Sequence, residues 1–135
     1  MTMQEFRRPG CDQQMVSRLR DSILTTMSYY GHGVSLAEII GAAQAAGLDT
    51  GGRYALANEK MQALNILIWA GVSAEFYDAL ADLVDREVIE YHPTSPLVYL
   101  MDGIHLDMPL AKGPYRYKEP HWLPVTLSRG PGWAA

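Results

Sequence analysis

The chain has 135 residues, of which 48% are hydrophobic, and its formal net charge is −4. This length suffices for one core and is short for two comfortable domains. No apolar run approaches the roughly 18 residues that suggest a membrane span, and a single cysteine, Cys11, excludes an internal disulfide. We therefore expect a cytoplasmic protein without membrane contact, in which a domain over 12–108 follows a flexible N-terminus over 1–11.

Two helices are predicted in the first third of the chain. Asp12 is a plausible N-cap, and apolar residues then recur at three- and four-residue steps as far as Tyr30, which indicates one face of an amphipathic helix. Ser35 and Glu38 have the spacing of a capping box, so a second helix is expected to begin there and to end at Gly47.

Two further helices are predicted in the middle of the chain. Residues 65–69 alone could pass for a buried strand, but the flanking Ala, Glu, Lys, Met and Gln favour an extra helix over about 53–70. Ser73 offers a cap for a fourth helix over 74–86, with Glu75 in its positive first turn.

Beyond Arg86 the apolar period changes from helical to alternating. Residues 88–91 and 97–101 are predicted as strands joined by a turn over 92–96. Asp102-Gly103 is a strong two-residue hairpin signal, and alternation over 104–108 predicts a third strand. The expected class is therefore α+β and mostly helical, with three or four helices and a C-terminal β-hairpin or three-stranded meander.

Residues 109–135 show no period and contain five of the eight prolines, so they are predicted to form an extended tail. Aromatic and basic residues alternate there, a pattern that can stack bases and pair with phosphates. The other interpretation is that the aromatic residues anchor the tail in an apolar groove, on its own domain or on a partner. The residues of this pattern are Tyr115, Arg116, Tyr117, Lys118 and Trp122.

The charge of the second half is divided along the chain. Residues 74–107 contain eight acidic residues opposed only by Arg86, whereas residues 108–135 contain four basic residues against Glu119. These opposite charges allow the tail of one subunit to pair with the acidic helix of another, which makes a homodimer through the tail a hypothesis.

The order of elements resembles that of the winged-helix family. The similarity is carried by residues 71–90, GVSAEFYDALADLVDREVIE, in which a helix ending in Leu-Val is followed by Val-Ile-Glu at a strand start. It covers roughly residues 12–101 as an order of elements. The resemblance implies a recognition helix over 74–86 and a wing tip over 93–96.

Four carboxylates lie at three- and four-residue spacing on this helix, on the face opposite Leu80 and Leu83: Glu75, Asp78, Asp82 and Asp85. On the face that family members present to the DNA major groove, they would repel phosphates. They are therefore a solvated face, a surface for a basic protein partner or an imitation of nucleic acid.

Two functions remain open, and both are non-enzymatic. The first is a small DNA-linked transcriptional regulator, whose contacts would include residues of types that read bases and phosphates: Arg53, Asn58, Lys60, Gln62, Asn65, Arg116 and Lys118. The second is a protein-interaction module, an adaptor or assembly subunit, that uses the acidic helix and three aromatic residues of the tail, Tyr115, Tyr117 and Trp122.

No catalytic, metal or cofactor site is predicted. The four histidines are scattered without zinc-ligand spacing, and the serines lack a nucleophile-elbow motif. The glycine pairs match no phosphate-binding loop.

Overall fold

The computed structural model describes residues 11–101, 103–104 and 106–134, which form an α+β fold with five helices and small sheets. The helices are α1 (Gln13–Tyr30), α2 (Leu36–Ala45), α3 (Glu59–Leu64), α4 (Ala74–Asp85) and α5 (Leu97–Met101). The strands are β1 (Val34–Ser35), β2 (Gly51–Leu56), β3 (Ile66–Leu67), β4 (Trp69–Val72), β5 (Ile89–Pro93), β6 (His121–Trp122) and β7 (Val125–Arg129).

The first two helices confirm their predicted caps. The side chain of Asp12 accepts hydrogen bonds from the first turn of α1, and Gly31 ends that helix with a φ of 82°. The Ser35 hydroxyl accepts from the backbone N–H of Glu38 over 3.1 Å and so begins α2. The apolar stripe of α1 is buried in the core, and it comprises Val16, Leu19, Ile23 and Met27.

The main sheet has three strands in the order β1-β7-β5, and both pairings are antiparallel. Leu127 in the middle strand lies opposite Val34 on one side and Tyr91 on the other. Val34, Val125 and Leu127 are at most 1% exposed and belong to the main core. One face of this sheet therefore closes the core, while the other face is open.

The predicted extended tail over 109–135 is therefore wrong over much of its length. Residues 125–129 form the middle strand of the main sheet, because Val125 and Leu127 alternate with polar residues and the sheet buries them. The domain boundary predicted at 108 is also wrong, since this strand completes the core.

The extra helix predicted over 53–70 is wrong as well. β2 and β4 pair antiparallel there, and the short α3 and the two-residue β3 lie between them. Asn58 begins α3 by accepting the N–H of Met61 over 2.8 Å, and Asn65 ends it in a left-handed conformation with a φ of 61°. Two asparagines with non-helical backbone thus interrupt the helix, and the apolar residues after Asn65 form the strands β3 and β4.

The short parallel strand pair β3–β6 joins the C-terminal segment to the residues that follow α3. Ile66 and Leu67 in β3 lie opposite His121 and Trp122 in β6. The indole Nε1–H of Trp122 donates to the carbonyl of Ile68 over 3.2 Å, and Trp122 is only 2% exposed. Residues 121–122, near the end of the segment between β5 and β7, are therefore held by residues 66–68, which follow α3.

The strand predicted over 97–101 is the helix α5. The Ser95 hydroxyl accepts from the N–H of Leu97 over 3.2 Å, and the Pro96 carbonyl accepts from Leu100 over 3.1 Å, so the Ser-Pro pair starts a helical turn. Asp102 and His105, which belong to the predicted hairpin and third strand, lie outside the described residues. The described residues among 104–108 form no strand.

The helix α4 lies across the centre of the fold. It packs against α1 and also contacts β2 and β5. Its residues 76–81 and Leu83 are buried, and none of its residues reaches full exposure. Among the described residues, no helix combines the length and apolarity needed to cross a membrane.

Candidate functional site

The acidic side chains of α4 do not form an open stripe. Asp78 is 4% exposed, and its Oδ2 has no hydrogen-bond partner among the described residues. The Oδ2 of Asp82 lies 2.8 Å from Arg86 and 3.5 Å from Arg20, and Glu75 accepts the backbone N–H of Asp12 over 3.0 Å. The structure therefore places Asp78 in the interior and gives Glu75 and Asp82 partners within the chain.

The residues proposed for DNA contact on the middle segment lie on different elements. Arg53 is exposed on β2, whereas Lys60 and Gln62 are exposed on α3. Asn58 has a structural role at both ends of its amide, because its Oδ1 caps α3 and its Nδ2 donates to the Tyr91 hydroxyl over 2.9 Å. These residues do not form one helical reading face.

The aromatic and basic residues of the C-terminal segment separate into inner and outer groups. The Tyr117 ring stacks on His121 at 3.7 Å, and its hydroxyl donates to the Gly113 carbonyl and accepts the N–H of Lys112. Trp122 is buried in the core, which agrees with anchoring of the segment on its own domain and not with the predicted partner contact. The exposed members of this group are Tyr115, Arg116 and Lys118.

The structure does bring Lys60 close to this segment. Tyr117 donates its N–H to the Leu64 carbonyl, and His121 donates to the Asn65 carbonyl, so the loop 111–121 lies along α3. Lys60, Leu64 and Gly113 help to line a shallow cleft of about 350 Å³ at this junction. A modest basic surface results, with exposed Lys60, Lys112, Arg116 and Lys118.

One group of side chains on the open face of the main sheet has the composition of a hydrolytic triad. The Ser128 hydroxyl lies 2.8 Å from His92 Nε2, and the Glu90 carboxylate lies 3.3 Å from the same nitrogen. In a nucleophile relay the carboxylate holds the other imidazole nitrogen, so that Nε2 is free to take the serine proton. This geometry is therefore a surface hydrogen-bonded cluster and does not form that relay.

Exposed apolar side chains lie together on the outer surface of α5 and just after it. Leu97 is 63% exposed, Leu100 is 51% exposed, Met101 is 87% exposed and Ile104, just after the helix, is 46% exposed. We call these four residues the α5 ridge. Tyr99 is the buried residue of α5 and packs the inner side of the helix onto the core. The outer side of the helix also carries apolar side chains. A helix that is apolar all round is normally covered.

A groove runs beside the α5 ridge. It encloses about 210 Å³ and has an almost wholly apolar lining, formed by Pro96, Leu100, Leu106, Met108, Leu110 and Trp122. The two methionines of this region, Met101 and Met108, are flexible and fit partners of varied shape. Ridge and groove together give a surface of the kind that marks a protein contact.

The α5 ridge was not predicted from the sequence, because residues 97–101 were predicted to form a strand. Leu97, Leu100, Met101 and Ile104 are spaced three, four and seven residues from the first, which is a helical pattern. The Ser95-Pro96 pair before them is also a helix-start signal. The strand was predicted because residues 97–101 form a short apolar run after a predicted turn, and both helix signals were outweighed.

No group of three or more potential metal ligands is found among residues 11–101, 103–104 and 106–134. Comparisons of the chain with family models, curated proteins and solved structures gave no match.

Proposed function

We propose that this chain is a non-enzymatic protein-binding module built on a winged-helix-like core, and that the α5 ridge and its groove are the contact surface. The observation that carries the proposal is the exposure of four apolar side chains, three on the short helix α5 and Ile104 just after it. Isolated exposed apolar residues are common on proteins, whereas a contiguous set beside an apolar groove indicates a partner.

The winged-helix part of the proposal is supported by the order of elements. The order is helix, strand, helix, helix and two strands, and the last strand lies between the other two. The elements in this order are α1, β1, α2, α4, β5 and β7, with β2, α3, β3 and β4 inserted before α4 and with α5 and β6 inserted before β7. In this interpretation α4 occupies the position of the recognition helix, and residues 94–124 replace a simple wing. The burial of α4 then favours recognition by the replaced wing over insertion of α4 into a DNA groove.

The proposal can be tested with peptides selected on the purified protein. A displayed library of random peptides should yield convergent sequences that bind wild type. Binding should weaken at least tenfold in the double variant Leu97→Gln/Met101→Gln, because a polar substitution removes the apolar contacts. Tyr29→Gln is the matched control, since Tyr29 is 82% exposed on α1. Equal binding by the double variant and wild type would overturn the proposal.

DNA-linked regulation is the second candidate, and the basic surface along α3 favours it. Lys60, Lys112, Arg116 and Lys118 are exposed there, and Tyr115 is 63% exposed beside them. Binding through several phosphates should weaken by orders of magnitude between about 50 and 200 mM salt. Fluorescence anisotropy with mixed-sequence duplex DNA checks this. Salt-steep micromolar binding that is lost in Lys60→Ala and Arg116→Ala would support DNA, and no binding at low salt would exclude general duplex binding.

A further inference from the structure

From the charge around the α5 ridge we infer that its partner is a basic amphipathic helix, an inference that rests on the proposed function. Between Arg86 and Lys112 the chain contains no lysine or arginine. The acidic residues in the same interval include Asp102, next in sequence to Met101, and Asp107, which is exposed. The charged residue of this interval that the structure places beside the groove, Asp107, is therefore acidic.

The position of Asp107 relates this charge to the groove. Its two neighbours in the chain, Leu106 and Met108, both line the groove, so the carboxylate lies within one residue of the apolar surface. Asp107 takes part in no ion pair among the described residues. A cationic side chain of a partner seated in the groove can therefore reach it at the rim, where complementary charge selects partners and increases their association rate.

The basic residue nearest in sequence to the groove is Lys112, which lies two residues after the groove residue Leu110 and opens the loop 111–121. That loop is hydrogen bonded to α3 and β3 through the Leu64 and Asn65 carbonyls, and its own Tyr117 hydroxyl accepts the Lys112 N–H. Lys112 thus belongs to a loop held against α3, whereas Asp107 has a groove residue on each side in the chain.

The shape of the surface fits a helix better than a strand. Leu97, Leu100 and Met101 project from one and a half helical turns as a ridge, and the groove beside them accepts a row of side chains. Amphipathic helices bind such surfaces through apolar residues spaced three, four and seven apart. Exposed methionine adapts to different apolar anchors. Because α5 is a helix, it presents no strand edge, and a strand added by a partner would find no backbone to pair with on it.

The test uses three synthetic 18-residue helical peptides with the same leucine face and a polar face of lysine, glutamine or glutamate. Their affinity for the full-length chain is measured by fluorescence anisotropy at about 50 and 200 mM salt. We expect the lysine peptide to bind at least tenfold more tightly than the glutamate peptide at low salt, with the glutamine peptide between them. The preference should shrink at high salt because rim charges are screened.

Matched charge variants separate the rim from the net charge of −4. Asp107→Lys should reduce the lysine-peptide preference several-fold, whereas Asp21→Lys, which makes the same charge change on the exposed surface of α1, should leave it unchanged. Equal effects of the two variants would mean that net charge alone attracts the peptide, which would overturn the inference.

The remaining outcomes separate this inference from the function on which it rests. Equal binding of all three peptides, lost in Leu97→Gln/Met101→Gln, would overturn the basic partner and leave the protein-binding surface in place. If no peptide binds, or if binding persists in that double variant, both the partner class and the function of the α5 ridge are overturned. Circular dichroism of each variant confirms that it is folded before its affinity is compared.

Discussion

The hydroxyl of Tyr99 donates a hydrogen bond to the Val125 carbonyl over 2.6 Å and fixes α5 to the middle strand of the main sheet. The same hydroxyl accepts the backbone N–H of Leu36 over 3.0 Å at the start of α2. Its ring stacks on Trp69 at 5.1 Å and meets Trp122 edge to face at 5.2 Å. One buried tyrosine therefore holds the candidate contact surface on the core.

Replacement of this hydroxyl should destabilise the protein. In Tyr99→Phe the Val125 carbonyl and the Leu36 N–H lose their shared partner in a buried environment, so we expect a loss of about 1–3 kcal/mol. Urea unfolding followed by circular dichroism measures this loss. Tyr29→Phe, at an 82% exposed position, should change stability by less than about 0.5 kcal/mol. Similar stabilities of the two variants would contradict the assigned hydrogen bonds.

Tyr91 should make stability depend on alkaline pH. Burial raises the pKa of its hydroxyl above the ordinary value of 10.0, the hydrogen bond from Asn58 opposes this, and the negative charge of Asp85 adds to the rise. Because the unfolded chain loses this proton first, the contribution of Tyr91 is fully present below pH 10.0 and is lost as pH rises toward the higher folded pKa.

The measurement compares wild type with Tyr91→Phe at pH 8 and pH 10.5, using the urea midpoint of unfolding. Any pH effect that the two proteins share cancels in the comparison, so the difference between them isolates Tyr91. Wild type should lose more stability over this interval than Tyr91→Phe. An equal loss would show that the folded and unfolded pKa values of Tyr91 coincide.

The sequence predicted those elements whose signals are local. Asp12 and Ser35 each have a side chain that caps the helix directly after it, and the expected helices begin there. Ser73 likewise accepts the N–H of Phe76 over 3.0 Å at the start of α4. Capping uses atoms within three residues, so it depends little on the rest of the fold.

Elements that depend on distant partners were predicted poorly. β7 was assigned to a tail because five prolines surround it, yet Val125 and Leu127 form its buried face through pairing with β1 and β5. Most of β2 and the start of β4 were assigned to a helix because the residue types between them favour one locally, whereas their pairing joins residues on both sides of α3. Such pairings are decided by long-range contacts, which local propensity does not report.

The candidate site was missed for a related reason. The acidic residues of α4 have the spacing of a solvated stripe, but spacing does not tell which face a central helix buries when it is covered on several sides. Asp78 is inside because α1 and β2 pack around α4. The exposed apolar surface instead lies on α5, whose five residues form a short apolar run that was predicted as a strand despite the helical spacing of Leu97, Leu100 and Met101.

The buried carboxylate of Asp78 should cost stability. Its Oδ2 lacks a hydrogen-bond partner among the described residues, so the folded state bears part of the desolvation penalty of a charged group. Asp78→Asn keeps the shape and removes the charge, and we expect a gain of about 1 kcal/mol in the free energy of unfolding. Asp21→Asn, on the exposed surface of α1, serves as the control in the same urea titration. A loss of stability in Asp78→Asn would show that the carboxylate has a favourable interaction in the fold.

Two glycine substitutions should change stability in opposite directions, Gly52→Ala where β2 meets β4 and Gly41→Ala within α2. A Cβ on Gly52 would lie 2.6 Å from the Val72 carbonyl oxygen and 2.7 Å from the Ser73 Cα, so Gly52→Ala should force β2 away from β4. We expect it to cost about 1–3 kcal/mol, in the range of overpacking. Gly41 lies exposed within α2 with nothing within 4 Å of an added Cβ, so Gly41→Ala should raise stability by about 0.5–1 kcal/mol through helix propensity. Thermal unfolding of both variants measures the opposite signs. If Gly52→Ala were as stable as wild type, the close pairing of β2 with β4 would be refuted, because two backbone atoms lie where its methyl group must go.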